Sequence, residues 1–343
     1  MLFVWIAVAI GGCLLLVLVY DLTQRKHAIL RNFPVVGHFR YLLEAIGPEL
    51  RQYIVTGNDE ELPFNRDQRR WVYSSSKNQN NYFGFGTDSE LEQSSNYLII
   101  KHSSFPVRSP RPGEPGYDPY YSVPVAKILG GYRGRRRAFR PPSIVNISAM
   151  SFGSLSGNAI HALNAGSCLA GCLHNTGEGG VSPHHLQGGD LIWQIGTGYF
   201  GCRDEQGNFS LDQLVETTNK HSSIRALEIK LSQGAKPGLG GILPASKITP
   251  EISRIRGIPM GVDCISPSSH SAFSDADSLL DFVETIAEAT GLPVGIKSAV
   301  GEMDLWHDLA RLSDTSERGL DFITIDGGEG GTGAGPLVFT DRV

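Results

Sequence analysis

Two lysines stand at the ends of short apolar runs. Lys230 closes Leu227-Glu228-Ile229-Lys230, and Lys297 lies near the end of Leu292–Ser298, beside Val294, Ile296 and Ala299. An unpaired lysine is rarely buried, so a cation in so core-like a run points to function, against the plainer reading of a surface lysine at a strand end. Lys236 and Glu178 lie in glycine-rich loops instead. Lys236 could pair with a substrate carboxylate as a point charge. Glu178, between glycines, could serve as a general acid or base or position ammonia or an imine. For both, the plainer reading is an exposed loop charge. Four segments follow apolar runs: Met150-Ser151-Phe152-Gly153, Gly177-Glu178-Gly179-Gly180, Gly234-Ala235-Lys236-Pro237-Gly238 and Asp326-Gly327-Gly328. Glycines there let backbone approach a ligand closely.

The elements that must position these groups alternate short β-branched runs with helical patterns, which predicts βαβ units and a parallel sheet. Strands are expected at Ser143–Ala149, Cys172–Thr176, Leu191–Gly196, Ala226–Leu231, Leu292–Ser298 and Leu320–Ile325. Ser274 and Asp277 resemble a capping box before Leu279, Leu280, Val283 and Ile286, and Gly291 suits the stop. In a parallel barrel the strand C-termini open on one face, where chemistry is built. The expected fold is α/β, a (β/α)8 TIM barrel over residues 141–343. About six of its eight strands are counted, so either strands are missed or the chain is a fragment. On that count, flavin binding by this chain alone is expected to be poor.

Residues 2–20 carry no charge, and about 20 apolar residues span a bilayer. Arg25, Lys26, Arg31 and Arg40 follow, which places the remainder in the cytoplasm. The expectation is a single-pass membrane anchor (residues 1–20), N-terminus outside, rather than a cleaved signal peptide, which needs a positive n-region and a small-residue cleavage site; a linker or cap region follows over 21–140. Within it, Leu30 to Leu43 could form an interfacial helix broken at Pro34. Pro63 to Tyr82 reads as a cap, Pro106 to Tyr121 as extended loop, and the arginines from Arg133 to Arg140 as a solvated loop that could meet anionic lipid. The net charge of −5 and the negative balance of 30 Lys+Arg against 35 Asp+Glu disfavour nucleic acid. Five cysteines are no disulfide framework. His184, His185, His270 and Cys168-x3-Cys172-x-His174 lack a second pair at zinc spacing. Cys168 and Cys172 are expected in a helix–strand core, and no metal site is expected. Gly328, Gly330 and Gly333 fit a dinucleotide fingerprint, but only ten residues follow Gly333, too few for the helix and acidic residue it needs.

Taken in order, Ser148-Ala-Met-Ser-Phe-Gly-Ser154, Asn175-Thr-Gly-Glu-Gly-Gly180, Lys230 with Gln233-Gly-Ala-Lys-Pro-Gly238, Ile265-Ser-Pro267 and Asp326-Gly-Gly-Glu-Gly-Gly-Thr-Gly-Ala334 resemble the FMN-binding synthase domain of glutamate synthase. The membrane-anchored front end is similar to stand-alone FMN-binding glutamate synthase family proteins of bacteria. The resemblance implies a TIM barrel, FMN, and reductive amination of 2-oxoglutarate to glutamate, with electrons from ferredoxin or an NAD(P)H reductase. It implies Glu178, Lys230 and Lys297 as catalytic. Ala149, Met150, Ser151, Thr176, Gln194, Lys230, Lys297, Gly327 and Gly328 would hold FMN, with lysine charge favouring the reduced anionic ring and Gln194 facing the pyrimidine edge. Ser154, Gln233 and Lys236 would bind substrate; Glu329 and Thr332 would shape the last loop. The family's glutaminase domain has no counterpart in the apolar N-terminus, and its cysteines for a 3Fe–4S cluster would lie beyond Val343. Leu239 and Ile242 replace the family's usual Glu and Gln, so 2-oxoglutarate is expected to bind less well. Alternatives are a related flavoenzyme acting on another 2-oxo or 2-hydroxy acid or an N-methylated amino acid, or a catalytically silent membrane protein. The intact Lys230, Lys297 and Glu178 weigh against the last.

Overall fold

The structure is a computed structural model. It describes all residues except 54, 56–59, 62–63, 81–100, 107, 120, 122, 124, 329–330, 336 and 341–343. Glu329 and Gly330 of the last glycine motif therefore lie outside the described residues. The chain divides into two compact units, Met1–Ser104 and Phe105–Val343.

The first unit is helical: α1 (Leu2–Thr23), α2 (Ala28–Asn32), α3 (Gly37–Tyr53) and α4 (Arg66–Ser76). Over Phe3–Thr23, α1 is long and apolar enough to cross a membrane, and its residues from Phe3 to Val17 are exposed. Pro34 does separate two helices. Asn65 caps α4 by accepting from Gln68 N–H at 2.9 Å.

In the second unit, β1 (His174–Asn175), β2 (Leu191–Ile195), β3 (Ile224–Lys230), β4 (Ile242–Leu243), β5 (Cys264–Ile265), β6 (Val294–Ser298) and β7 (Ile323–Ile325) alternate with α5 (Gly157–Ala170), α6 (Leu211–Lys220), α7 (Pro250–Arg256), α8 (Ala276–Thr290), α9 (Asp304–Thr315) and α10 (Leu337–Thr340). The main sheet is parallel, in the order β1-β2-β3-β6-β7. Strands added in chain order, with helices between them, make a partial TIM barrel. A dinucleotide fold would reverse its strand order at a switch point, and this sheet does not.

The helices form for identifiable reasons. Ser156 accepts from Ala159 N–H to start α5, and Gly171 ends it at φ 63°. The cap of α8 lies one residue later than the sequence pattern placed it. Asp275 accepts from Ser278 N–H at 2.8 Å, and Ser278 Oγ accepts from Asp275 N–H at 3.2 Å. The buried face of α8 (Leu279, Leu280, Val283, Ile286) joins Leu227, Ile229, Val294 and Ile296 in one core. On the other sheet face Phe139, Leu173 and Ala226 pack with Leu129, Ile192 and Phe322.

Three expectations are corrected. Ser143–Ala149 is not a strand but a single bridge from Ile147 to His174, because the Asn146 side chain accepts from Leu173 N–H at 2.9 Å in place of a ladder bond. The antiparallel pair β4–β5 was not foreseen. The arginine run is no solvated loop at Arg135. That side chain is only 8% exposed and pairs with Glu284 at 2.5 Å and Asp321 at 3.0 Å, since two carboxylates and the Gly319 carbonyl surround its guanidinium. Cys168 is exposed rather than in a core, while Cys172 is half-buried.

Candidate active site

Residues two apart on a strand share a face, so Glu228 and Lys230 of β3 point the same way. Register sets Glu228 beside Gln194 and Gly295, and Lys230 beside Lys297, which pairs in turn with Thr324. The lower layer is a closed polar network. Glu228 accepts from Asn175 Nδ2 at 2.8 Å, Gln194 Nε2 at 2.7 Å and Thr324 Oγ1 at 2.6 Å. The upper layer presents the two lysines at the C-terminal ends of β3 and β6, buried at 7% and 6% exposure.

The loops after the strands meet above them. Gly177, at φ 66°, would with a side chain put Cβ 2.6 Å from the Ser151 nitrogen, so only glycine lets the loops after Ile147 and β1 close on one another. Asn175 Oδ1 accepts from Gly177 N–H at 3.0 Å. Asp326 Oδ2 accepts from Gly234 N–H at 2.9 Å, which ties the loop after β7 to the loop after β3. Four segments distant in sequence thus converge on one face.

Their charges converge as well. Glu178 Oε1 takes Lys230 Nζ at 2.9 Å and Lys236 Nζ at 3.2 Å. Burial alone would raise the Glu178 pKa, but the two ammoniums outweigh it and hold the carboxyl down at about 2. Burial pulls Lys230 down to about 8, with Glu178 opposing and Lys236 and Lys297 assisting. Lys230 also donates to Gln233 Oε1 at 2.9 Å, and Lys236 to the Gly240 carbonyl at 3.1 Å. Lys297 pairs with Asp326 at 3.0 Å. Thr176 is buried and accepts from Gln194 N–H at 3.1 Å. Ser151 donates to Ser154 at 3.0 Å. Ala149 and Met150 are half-buried at the first loop, while Ser154 and Gly327 are exposed. Glu178, Lys230, Lys236 and Gln233 form one cluster, and Lys297 adjoins it through its pairing with Lys230. Gln194 lies a layer below, its amide nitrogen committed to Glu228.

Other residues complete the site: Arg256, which the sequence does not single out, and His270 and His185, which it offers only as metal candidates to be set aside. Arg256, at the end of α7, is 6% exposed and donates to the Phe152 carbonyl at 2.9 Å. Gly153 and Gly179 both face it; a Cβ at either would lie 2.9 Å from its Nη2. Its buried Nε has no partner among the described residues. Burial lowers its pKa, offset in part by Cys264 and Glu178. An arginine in a helix's last turn reads in sequence as compensation for the helix dipole, so its burial is not legible there. His270 Nε2 lies 2.8 Å from the Lys230 carbonyl and Nδ1 3.1 Å from Tyr199 Oη. A carbonyl only accepts, so Nε2 carries the proton and Nδ1 accepts from tyrosine. Burial lowers the His270 pKa, in keeping with a neutral ring. His185 donates to the Met150 carbonyl at 3.2 Å, its pKa pulled to about 4 by burial.

A partial parallel barrel gathers lysines, a carboxylate and an arginine at its C-terminal face, the face on which α/β barrel enzymes build their sites. A family model described as the conserved region in glutamate synthase matches residues 136–343, and the chain belongs to the glutamate synthase family. It is 37% identical to the glutamate synthase large subunit-like protein YerD of Bacillus subtilis (strain 168), over 94% of this chain and 66% of that protein. It is 39% identical to the archaeal-type glutamate synthase (NADPH) of Thermotoga sp. (strain RQ2), over 58% and 36% respectively. Against the archaeal glutamate synthase (NADPH) of Archaeoglobus fulgidus the identity is 37%, over 57% and 35%. The chain thus spans just under two thirds of the first of these relatives and about a third of the others.

Proposed function

We propose that the chain is an FMN-dependent oxidoreductase that converts 2-oxoglutarate and ammonia to glutamate, anchored by α1 with its body in the cytoplasm and fed by ferredoxin or an NAD(P)H reductase. The observation that carries the reading is the carboxylate of Glu178 shared by Lys230 and Lys236 above a parallel sheet, with Arg256 beside it. The donor set suits FMN. Lys297 has three donors, of which Asp326 takes one, and Lys230 stands next to it in register. Both would offer positive charge to the pyrimidine edge, with the backbone of Ala149, Met150, Ser151, Gly327 and Gly328 around the ring, and Gln194 and Thr176 supporting them from the layer below. FMN, when bound, supplies hydride delivery to carbon.

The residues of the chain do the rest. Lys236 and Arg256 bind and orient the carboxylates of the acid, with Ser154 and Gln233 at the margins. While two ammoniums flank Glu178, it stays ionised. A substrate carboxylate that draws Lys236 away weakens that hold, raises the Glu178 pKa and lets it hold a proton for the substrate nitrogen or oxygen. Leu239 and Ile242, 37% and 41% exposed, favour a second reading, in which a less polar 2-oxo or 2-hydroxy acid or an N-methylated amino acid is used. Ile242 directly follows Gly241, which lies against Glu178.

The test is anaerobic turnover of the full chain in detergent, supplied with FMN, a chemically reduced viologen, ammonium and 2-oxoglutarate. Glutamate should form, and Lys236→Met should lower its rate about tenfold or more at low substrate. Consumption of pyruvate or another apolar 2-oxo acid, with none of 2-oxoglutarate, would transfer the assignment to the second reading.

A further inference from the structure

An apolar stripe on α3 has no partner among the described residues. Phe39, Leu42, Leu43 and Ile46 recur at the spacing that places side chains on one helical face, and their exposures are 65%, 54%, 49% and 42%. Phe33 and Val36, just before the helix, are 64% and 74% exposed. The helix's other side carries the Arg40–Glu44 pair, 2.8 Å apart.

We propose that α3 lies in the plane of a lipid–water interface, with this stripe immersed at the acyl boundary, as a second anchor beside α1. The proposal rests on the reading of α1 as a membrane span and adds a surface to it. Three observations select lipid as the occupant. First, α3 is tied to the end of α1. Asp21, fully buried in the last turn of α1, accepts from Val35 N–H at 2.8 Å and from His38 Nε2 at 2.9 Å. Leu30 is buried against Gly37, and the His27 and Tyr41 rings meet edge-on at 5.6 Å. Second, the 21 residues of Phe3–Thr23 reach about 32 Å at 1.5 Å per residue, close to the hydrocarbon thickness. The clasp therefore holds the start of α3 at the depth where the bilayer ends. Third, Arg25, Lys26 and Arg31 are exposed, and no acidic residue lies between Leu22 and Phe39. That unopposed positive charge suits anionic headgroups. An amphipathic helix joined to a basic segment is the form that settles in an interface.

The experiment uses the full chain in vesicles of phosphatidylcholine and phosphatidylglycerol. A fluorescent noncanonical amino acid replaces Leu42, Ile46, Glu44 or Leu14 in separate preparations. Each is quenched by a nitroxide carried on lipid and by iodide in water. The substituted positions are exposed, so folding is not at stake. Leu42 and Ile46 should be quenched several-fold better by the lipid nitroxide than by iodide, and Glu44 the reverse. If Leu14 is reached by the lipid quencher while Leu42 and Ile46 behave like Glu44, α1 is a span and α3 is not interfacial, which overturns the proposal alone. If Leu14 is itself reached by iodide, the membrane reading fails and the proposal goes with it.

Discussion

At Glu178 two ammoniums share one carboxylate, and burial penalises all three charges. The consequences differ by residue. Glu178 has its pKa lowered from 4.5 to about 2, so it adds stability above pH 4.5 that is lost as pH falls toward 2, by roughly 3 kcal/mol at one pH unit per 1.4 kcal/mol. Lys230 has its pKa lowered from 10.5 to about 8. The unfolded chain then holds the extra proton between those values, so its contribution improves as pH rises from about 8 through 10.5. Glu178→Gln leaves two neighbouring lysines without their counterion and should cost about 3–5 kcal/mol at pH 7. Lys230→Met removes a penalised charge and leaves Glu178 with Lys236, so it should cost much less. Thermal melts of both variants check this, and the reverse order would contradict it. At Gly177 the argument is steric. Alanine would strain a backbone at φ 66° and drive Cβ into the Ser151 nitrogen. Gly177→Ala should lose a few kcal/mol and weaken whatever the Met150–Ser151 backbone binds, as fluorescence titration with FMN would read.

Among the elements, the segment ending at Phe139 proves to be part of the barrel's base. Arg135 holds Glu284 of α8 and Asp321 just before β7, and Asp321 Oδ2 also accepts from Val294 N–H at 2.8 Å. One guanidinium therefore sets the start of β6 and the approach to β7. Arg135→Met should leave two carboxylates unpaired and cost about 3–5 kcal/mol, measurable as a denaturation midpoint shift; Arg135→Lys, lacking the planar fork, should recover only part. At that same edge of the sheet, β7 pairs only with β6 among the described residues, and its Ile323 and Ile325 are 48% and 57% exposed. An uncovered apolar edge favours self-association. Ile325→Lys should slow the rise of light scattering in concentrated samples; an unchanged rate would show that the edge is not the contact.

For the molecule as a whole, most of what positions the site could be read from the chain, because long apolar runs and glycine-rich loops each have one physical use. Lys230, Lys236, Lys297 and Glu178 were legible as a group from strand ends and loop glycines, and the family resemblance joined them. What was not legible depends on contacts across the fold. The run around Ile147 has strand-forming residues, yet the Asn146 side chain replaces its ladder. The pair β4–β5 has two residues per strand, too few for any period. Arg256 looks like a helix-end cation, and its burial follows only from how Gly153 and Gly179 close over it. Arg135 sits in a run of basic residues whose composition says solvent, while its two acidic partners lie about 150 and 186 positions away.

Under the proposed function Lys297 acts on the flavin and Lys236 on the acid. The measurement that tests this division most directly is a paired one, the midpoint potential of bound FMN and the KM for the oxo acid, in Lys297→Met and Lys236→Met. Removing the cation beside the ring should lower the potential, since charge there favours the reduced anion and its coupling is strong in a dry site. It should leave KM nearly unchanged. Removing Lys236 should raise KM about tenfold or more and leave the potential close to wild type. A shifted potential in Lys236→Met together with a changed KM alone in Lys297→Met would reverse the assignment, and no effect of either substitution would contradict the account.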